Sequence, residues 1–296
     1  MSTPERTPLL LVGHGTRDDA GVADFARFVD RLAGRLPVDV AGGFIELSPP
    51  PLTEAVAGLY AKGHRRVAAV PMMLVAAGHG KGDIPGAMAR EVARHPGLSY
   101  AYGRPLGPHP VLLDLLAERL DAVLPESERA ETAVLLVGRG STDPDANAEV
   151  CKVARLLWEG RGVNMVEPAF VSLARPGVPD GLERCRRLGA TKIVVLPYFL
   201  FAGILPDRVV AQAREYADRH PGLDIRTAEV IGDCDGLADL VSERYEEALA
   251  GDIRMNCDTC VYRIAMPGFE DRVGLPQLPH HHPDDPAHGH GHAHAH

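Results

Sequence analysis

Apolar residues fall along this chain in two alternating rhythms. Short unbroken apolar runs, at Pro8 to Val12 and Val67 to Met72, have the length expected of strands buried on both faces. Val38 to Ile45 and Ser99 to Tyr102 read as further strands. Between them apolar positions return every three or four residues. That period predicts helices over Asp19 to Leu36, Leu52 to Lys62, Ile84 to Arg94 and Pro110 to Leu124. Strand–helix alternation of this kind builds a parallel sheet covered by helices on both faces.

The pattern then occurs a second time. Gly13-His14-Gly15-Thr16-Arg17-Asp18 resembles Gly138-Arg139-Gly140-Ser141-Thr142-Asp143, an offset of 125 residues. The run at 63–71, GHRRVAAVP, resembles GATKIVVLP at 189–197, and Gly43 to Leu47 resembles Ala169 to Leu173, both at 126. RHPGL occurs at 94–98 and at 219–223. A period this long is a duplicated domain rather than a solenoid repeat. The expected organisation is an α/β chain of two duplicated flavodoxin-like lobes, residues 1–125 and 131–250, with Pro125 to Ala130 as linker and 251–296 as an extension.

Composition narrows the function. Hydrophobic residues are 45% and charged residues 24%, as in an ordinary globular chain. With 31 basic against 40 acidic side chains the net charge is −9, which argues against nucleic acid as a partner because the phosphates would be repelled. The longest apolar run, Val67 to Ala77, contains Pro71 and is too short to span a bilayer. No signal-peptide pattern is read at the N-terminus, so the expectation is a cytoplasmic protein that contacts no membrane, a monomer or a homodimer.

In sheets of this kind ligands gather beyond the C-terminal strand ends. His14 sits there between two glycines, and His79 lies in the glycine-rich stretch Gly78-His79-Gly80-Lys81-Gly82 after the Val67 strand. Glu46 ends the second strand. Two imidazoles and a carboxylate on one rim suit a divalent first-row metal such as Fe, Co, Ni or Zn. The repeat is an internal control: the second half has Arg139, Ser172 and Leu205 at the three positions, while its apolar scaffold persists. The chemistry therefore belongs to the first half, and the second could supply binding groups such as Arg139, Arg175 and Arg208. The glycine-rich stretches match neither a dinucleotide fingerprint nor a phosphate-binding loop, and Ser141 is not in a nucleophile elbow.

Met255-Asn256-Cys257-Asp258-Thr259-Cys260 offers two thiolates at metal-binding spacing, with Cys234 upstream as a third candidate. Eight of the fourteen histidines lie between His280 and His296, in a Pro- and His-rich stretch that cannot build a core and suits loose metal collection.

Together, LLVGHGTRD, FIEL, PMMLVAAGHGKGDIP, GRPLGPHP and the duplicated halves resemble the sirohydrochlorin chelatase family of the CbiX or SirB type, over about Leu9 to Tyr262. The resemblance implies a class II chelatase fold and ATP-independent insertion of Co(II) or Fe(II) into sirohydrochlorin, for cobalamin or siroheme biosynthesis. It implies His14 and His79 as metal ligands, with Glu46 relaying protons or balancing charge. It also implies an iron–sulfur cluster on the M-x-C-x-x-C element. Arg17, Lys81, Arg104, Arg139 and Arg208 are then candidates for the macrocycle's carboxylates. Met72, Met73, Leu74 and Phe201 could meet its apolar faces, although a plain core role is the stronger expectation for them. A metal-storage or trafficking protein without catalysis is the alternative.

Overall fold

The computed structural model describes residues 6–251, 262 and 270–275. In the first half, β1 (Leu9–Gly13), α1 (Asp19–Arg35), β2 (Val40–Phe44), α2 (Leu52–Ala61), β3 (Arg66–Pro71), α3 (Ile84–Arg94), β4 (Ser99–Tyr102) and α4 (Pro110–Asp121) follow in order. The second half repeats them as β5 (Thr132–Gly138), α5 (Pro144–Trp158), β6 (Met165–Phe170), α6 (Val178–Arg187), β7 (Lys192–Pro197), α7 (Ile204–Arg219), β8 (Asp224–Thr227) and α8 (Asp235–Ala250). Two four-stranded sheets result, ordered β2-β1-β3-β4 and β6-β5-β7-β8, with every pairing parallel.

The central strands β1 and β5 are buried along their whole length, which is why they read as unbroken apolar runs. Helices start where the sequence supplies caps. Asp18 accepts from the Ala20 and Gly21 N–H groups at the head of α1, and Asp143 accepts from Asp145 N–H at the head of α5. The linker is a 3₁₀ turn, Glu126–Glu131, rather than extended chain.

One feature was not legible in the halves taken separately. The last helix of each half covers the sheet of the other: α4 packs on β7 and α5, while α8 packs on β3, β4 and α1. A single apolar core therefore runs through both lobes, joining Leu11, Phe28 and Leu116 to Leu136, Leu196 and Leu240. Polar ties follow the exchange. Arg244 on α8, 1% exposed, donates to Pro105 O and Leu106 O, and Arg31 and Arg35 of α1 pair with Asp233, Asp235 and Asp239. The two outer sheet faces keep separate cores beneath α2–α3 and α6–α7.

Candidate metal centre

The C-terminal ends of β1, β2 and β3 bring His14, Glu46 and His79 together. One nitrogen from each imidazole and one Glu46 oxygen all lie within 4.8 Å of one another. The imidazoles stand edge to face with centroids 4.4 Å apart. The approach depends on Gly15, whose φ is +105° and where a Cβ would sit 1.8 Å from Glu46 O. That close backbone contact lets Glu46 N–H donate to His14 O at 3.1 Å. The second lobe keeps the turn, with Gly140 against Ser172 O, but carries no metal-binding side chains there.

For His14, hydrogen bonding fixes which lone pair faces inward. His14 Nδ1 lies 3.2 Å from Gly15 O, and a carbonyl can only accept, so Nδ1 carries the proton there. Its Nε2 then faces Glu46 Oε1 at 3.2 Å. With the imidazole neutral and the carboxylate ionised, two lone pairs oppose each other, and the site is completed by a proton or a cation. His79 Nδ1 lies 2.7 Å from Asp83 Oδ2, an ion-pair distance, and a metal held at Nε2 would leave that contact intact. A carboxylate behind a ligating imidazole fixes the tautomer and strengthens the donor.

Asp83 escaped the sequence reading. His79–Asp83 is a single π-helical turn leading into α3, not an irregular loop, so the two side chains lie on one face. The signal was the spacing of four between His79 and Asp83, hidden by three glycines around it. Tyr102 O–H pins the same turn by donating to Gly80 O at 2.8 Å, its phenol kept neutral by burial.

The five proposed cations separate into two groups. Lys81 is committed elsewhere: its ammonium lies 2.7 Å from Asp143 and 2.9 Å from Asp145, with all three side chains nearly buried. Burial alone would lower its pKa, but the two carboxylates outweigh that and hold it above the usual lysine value. Arg104 forks onto Glu247 of α8 at 2.9 and 2.7 Å. Both cations thus join the lobes through ion pairs. Arg17 is exposed in the loop before α1, and Arg208 is exposed on the first turns of α7. Arg139 is half-buried; burial lowers its pKa while the negative charge of Glu46 opposes the drop, so this second-lobe guanidinium is electrostatically coupled to Glu46. Met72 belongs to the core, and Met73, Leu74 and Phe201 pack against core clusters, the plainer of their two expected roles. Cys234 precedes α8, half-buried against the core, whereas Cys257, Cys260 and the His-rich tail lie outside the described residues.

No described helix is long and apolar enough to cross a membrane. The CbiX family model matches this chain twice, at residues 8–123 and 133–248. A sirohydrochlorin cobaltochelatase of Priestia megaterium is 37% identical over 262 residues, which cover 87% of this chain and 85% of the relative. A sirohydrochlorin ferrochelatase of the same organism is 30% identical over 244 residues, covering 82% and 90%. The solved structure of SirB from Bacillus subtilis with Fe3+ superposes with a TM-score of 0.72 at 28% identity, covering 83% of this chain and 97% of that one. One histidine pair in a duplicated fold, matched by the same model in both halves, means that the chain belongs to the CbiX family.

Proposed function

We propose that the protein inserts Co(II) or Fe(II) into sirohydrochlorin without ATP. The observation that carries this reading is the His14–Glu46–His79 cluster, whose three donor atoms lie within 4.8 Å at the mouth of one lobe only. Two neutral imidazoles and one carboxylate hold a divalent ion while leaving coordination positions for ring nitrogens. A donor set this lean also lets go: an ion gripped by several carboxylates would resist transfer.

Insertion releases two protons from the pyrrole nitrogens as the metal crosses. As the ion leaves, Glu46 Oε1 and His14 Nε2, 3.2 Å apart, regain lone pairs that can accept those protons and pass them to solvent. Arg139, whose charge is coupled to Glu46, would meet a peripheral carboxylate of the macrocycle, with Arg17 and Arg208 as further contacts. The iron–sulfur cluster on Cys257, Cys260 and Cys234 belongs to the same proposal; iron and acid-labile sulfide analysis of anaerobically purified protein tests it, and no step above depends on it.

The test is the metal-dependent change in tetrapyrrole absorbance. His14→Ala and His79→Ala are each expected to lower the insertion rate at least a hundredfold while leaving circular dichroism unchanged. Near-normal rates in either variant would overturn the reading. Absence of any spectral change when wild-type protein meets sirohydrochlorin would favour storage or trafficking instead.

A further inference from the structure

The two lobes grip each other's strand-end loops through one repeated contact. Glu149 Oε2 on α5 accepts from Ala76 N–H at 3.1 Å, and Asp24 Oδ2 on α1 accepts from Ala202 N–H at 3.3 Å. Glu149 and Asp24 occupy equivalent positions in the duplication, as do Ala76 and Ala202. Each lobe thus fixes the loop after the third strand of its partner.

On one side only, a second contact is added. Lys81 bonds Asp143 and Asp145 at the head of α5, at 2.7 and 2.9 Å. The equivalent positions on the other side hold Asp207 in place of Lys81 and Ala20 in place of Asp145, so the contact cannot form there. Asp143 is matched by Asp18, and both cap their helices, so the added elements are Lys81 and Asp145. The loop that receives this tether carries His79; the loop without it carries Leu205. Ala76 and Lys81 are anchored on either side of His79, and the Tyr198 hydroxyl of the second lobe lies 3.5 Å from Leu74 O.

We propose that Lys81, with Asp143 and Asp145, is a positioning tether by which the second lobe holds the His79 turn in the geometry that grips the metal. Lys81 touches neither ion nor ring in this role. It removes freedom from a turn built around three glycines, whose wandering would break the meeting of His79 with His14 and Glu46. The inference gives the inactive copy a task in the reaction, and it rests on the chelatase reading for its functional meaning.

The experiment must separate a tether from a fold-stabilising ion cluster. The variant Lys81→Met/Asp143→Asn/Asp145→Asn removes all three charges together, so no carboxylate is stranded, and the asparagine introduced at the head of α5 retains an N-cap acceptor. It is expected to melt close to wild type. Its affinity for Co(II), titrated by visible absorption with no tetrapyrrole present, should fall about tenfold, the lower end of what lost ligand orientation costs. Its kcat for insertion should fall similarly while KM for sirohydrochlorin stays within about twofold. Lys81→Arg, which keeps a cation between the two acids, should recover most of the Co(II) affinity. Asp24→Asn, which loosens the loop lacking a histidine, should bind Co(II) as wild type does. If the triple variant melts far below wild type, Asp145→Asn carries the test, with a smaller loss of Co(II) affinity expected. Wild-type Co(II) affinity and kcat in the folded triple variant would overturn the tether. Should wild-type protein bind Co(II) yet insert none, the chelatase reading fails on its own, and the Co(II) titration still decides the tether.

Discussion

The exchange of α4 and α8 predicts that the lobes unfold as one unit, and Arg244 is the place to test it. Its side chain is 1% exposed and its guanidinium donates to Pro105 O at 3.2 Å and Leu106 O at 3.1 Å, joining α8 to the loop beyond β4. Arg244→Met keeps much of the apolar stem and deletes the donors. Two backbone carbonyls lose their partners, at about 1–3 kcal/mol each. Glu247 is not stranded, because Arg104 continues to hold it at 2.7 Å and it remains partly exposed. Relief of the buried charge offsets part of the loss, since burial already pulls this guanidinium below its usual pKa. The net expectation is a destabilisation of about 2–4 kcal/mol, or roughly 5–15 °C in Tm for a chain this size. Urea unfolding followed by far-ultraviolet circular dichroism should show one transition at a lower midpoint with unchanged slope. Arg244→Lys, which cannot fork onto two carbonyls, should fall between. A loss below about 1 kcal/mol would refute the assigned role of the guanidinium. A second, separate transition would refute the claim that helix exchange couples the lobes.

Other expectations follow from single groups. His109 caps α4 by accepting from Val111 N–H through Nδ1, and burial holds its pKa below the ordinary 6.5, with Glu243 opposing. The unfolded chain therefore takes up this proton first, so the contribution is intact above about pH 6.5 and is lost as pH falls towards the folded pKa. His109→Asn keeps the cap and should show a smaller drop in Tm between pH 7.5 and 5.5 than wild type; an equal drop rejects the assignment. Gly15 and Gly189 both have positive φ, but a Cβ meets Glu46 O at 1.8 Å in the first and nothing within 4 Å in the second. Gly189→Ala should cost only backbone strain, about 1–2 kcal/mol, and leave Co(II) binding intact, whereas Gly15→Ala should lose Co(II) binding as Glu46 is pushed away. Comparable Co(II) titrations for the two variants would show that the close turn is unnecessary.

The grouping of His14, Glu46 and His79 was legible because all three follow strands of one parallel sheet: His14 directly after the buried β1, Glu46 two residues after β2, and His79 in the glycine-rich stretch beyond β3. Ile84 to Arg94 and Ser99 to Tyr102 keep their expected bounds, since Pro85 and the preceding turn residues delimit them from within. What stayed hidden was relational. An amphipathic stripe states that a helix buries a face but not against which sheet, so α4 and α8 read the same whether or not they are exchanged. For the same reason Lys81 and Arg104 looked free: their carboxylates lie 62 and 143 residues away, and separations of that kind leave no local pattern. Asp83 was missed because glycine composition suggests irregular chain, while tertiary contacts close a helical turn there.

The duplication is asymmetric in charge: the second lobe has Arg139 where the first has His14. A second lobe with its own histidines and glutamate would offer a second dication site that competes for the ring. Arg139 in place of a second His14 removes that rival site. It also couples a positive charge to Glu46, the only carboxylate among the three candidate ligands. On the proposed reading, that charge would weaken the grip of Glu46 on a dication and favour an incoming anionic substrate, so one substitution would act on both partners of the transfer. Arg139→Leu should therefore bind Co(II) more tightly and yet insert it more slowly, with KM for sirohydrochlorin raised. Weaker Co(II) binding in this variant would show that Arg139 supports the metal site instead of opposing it.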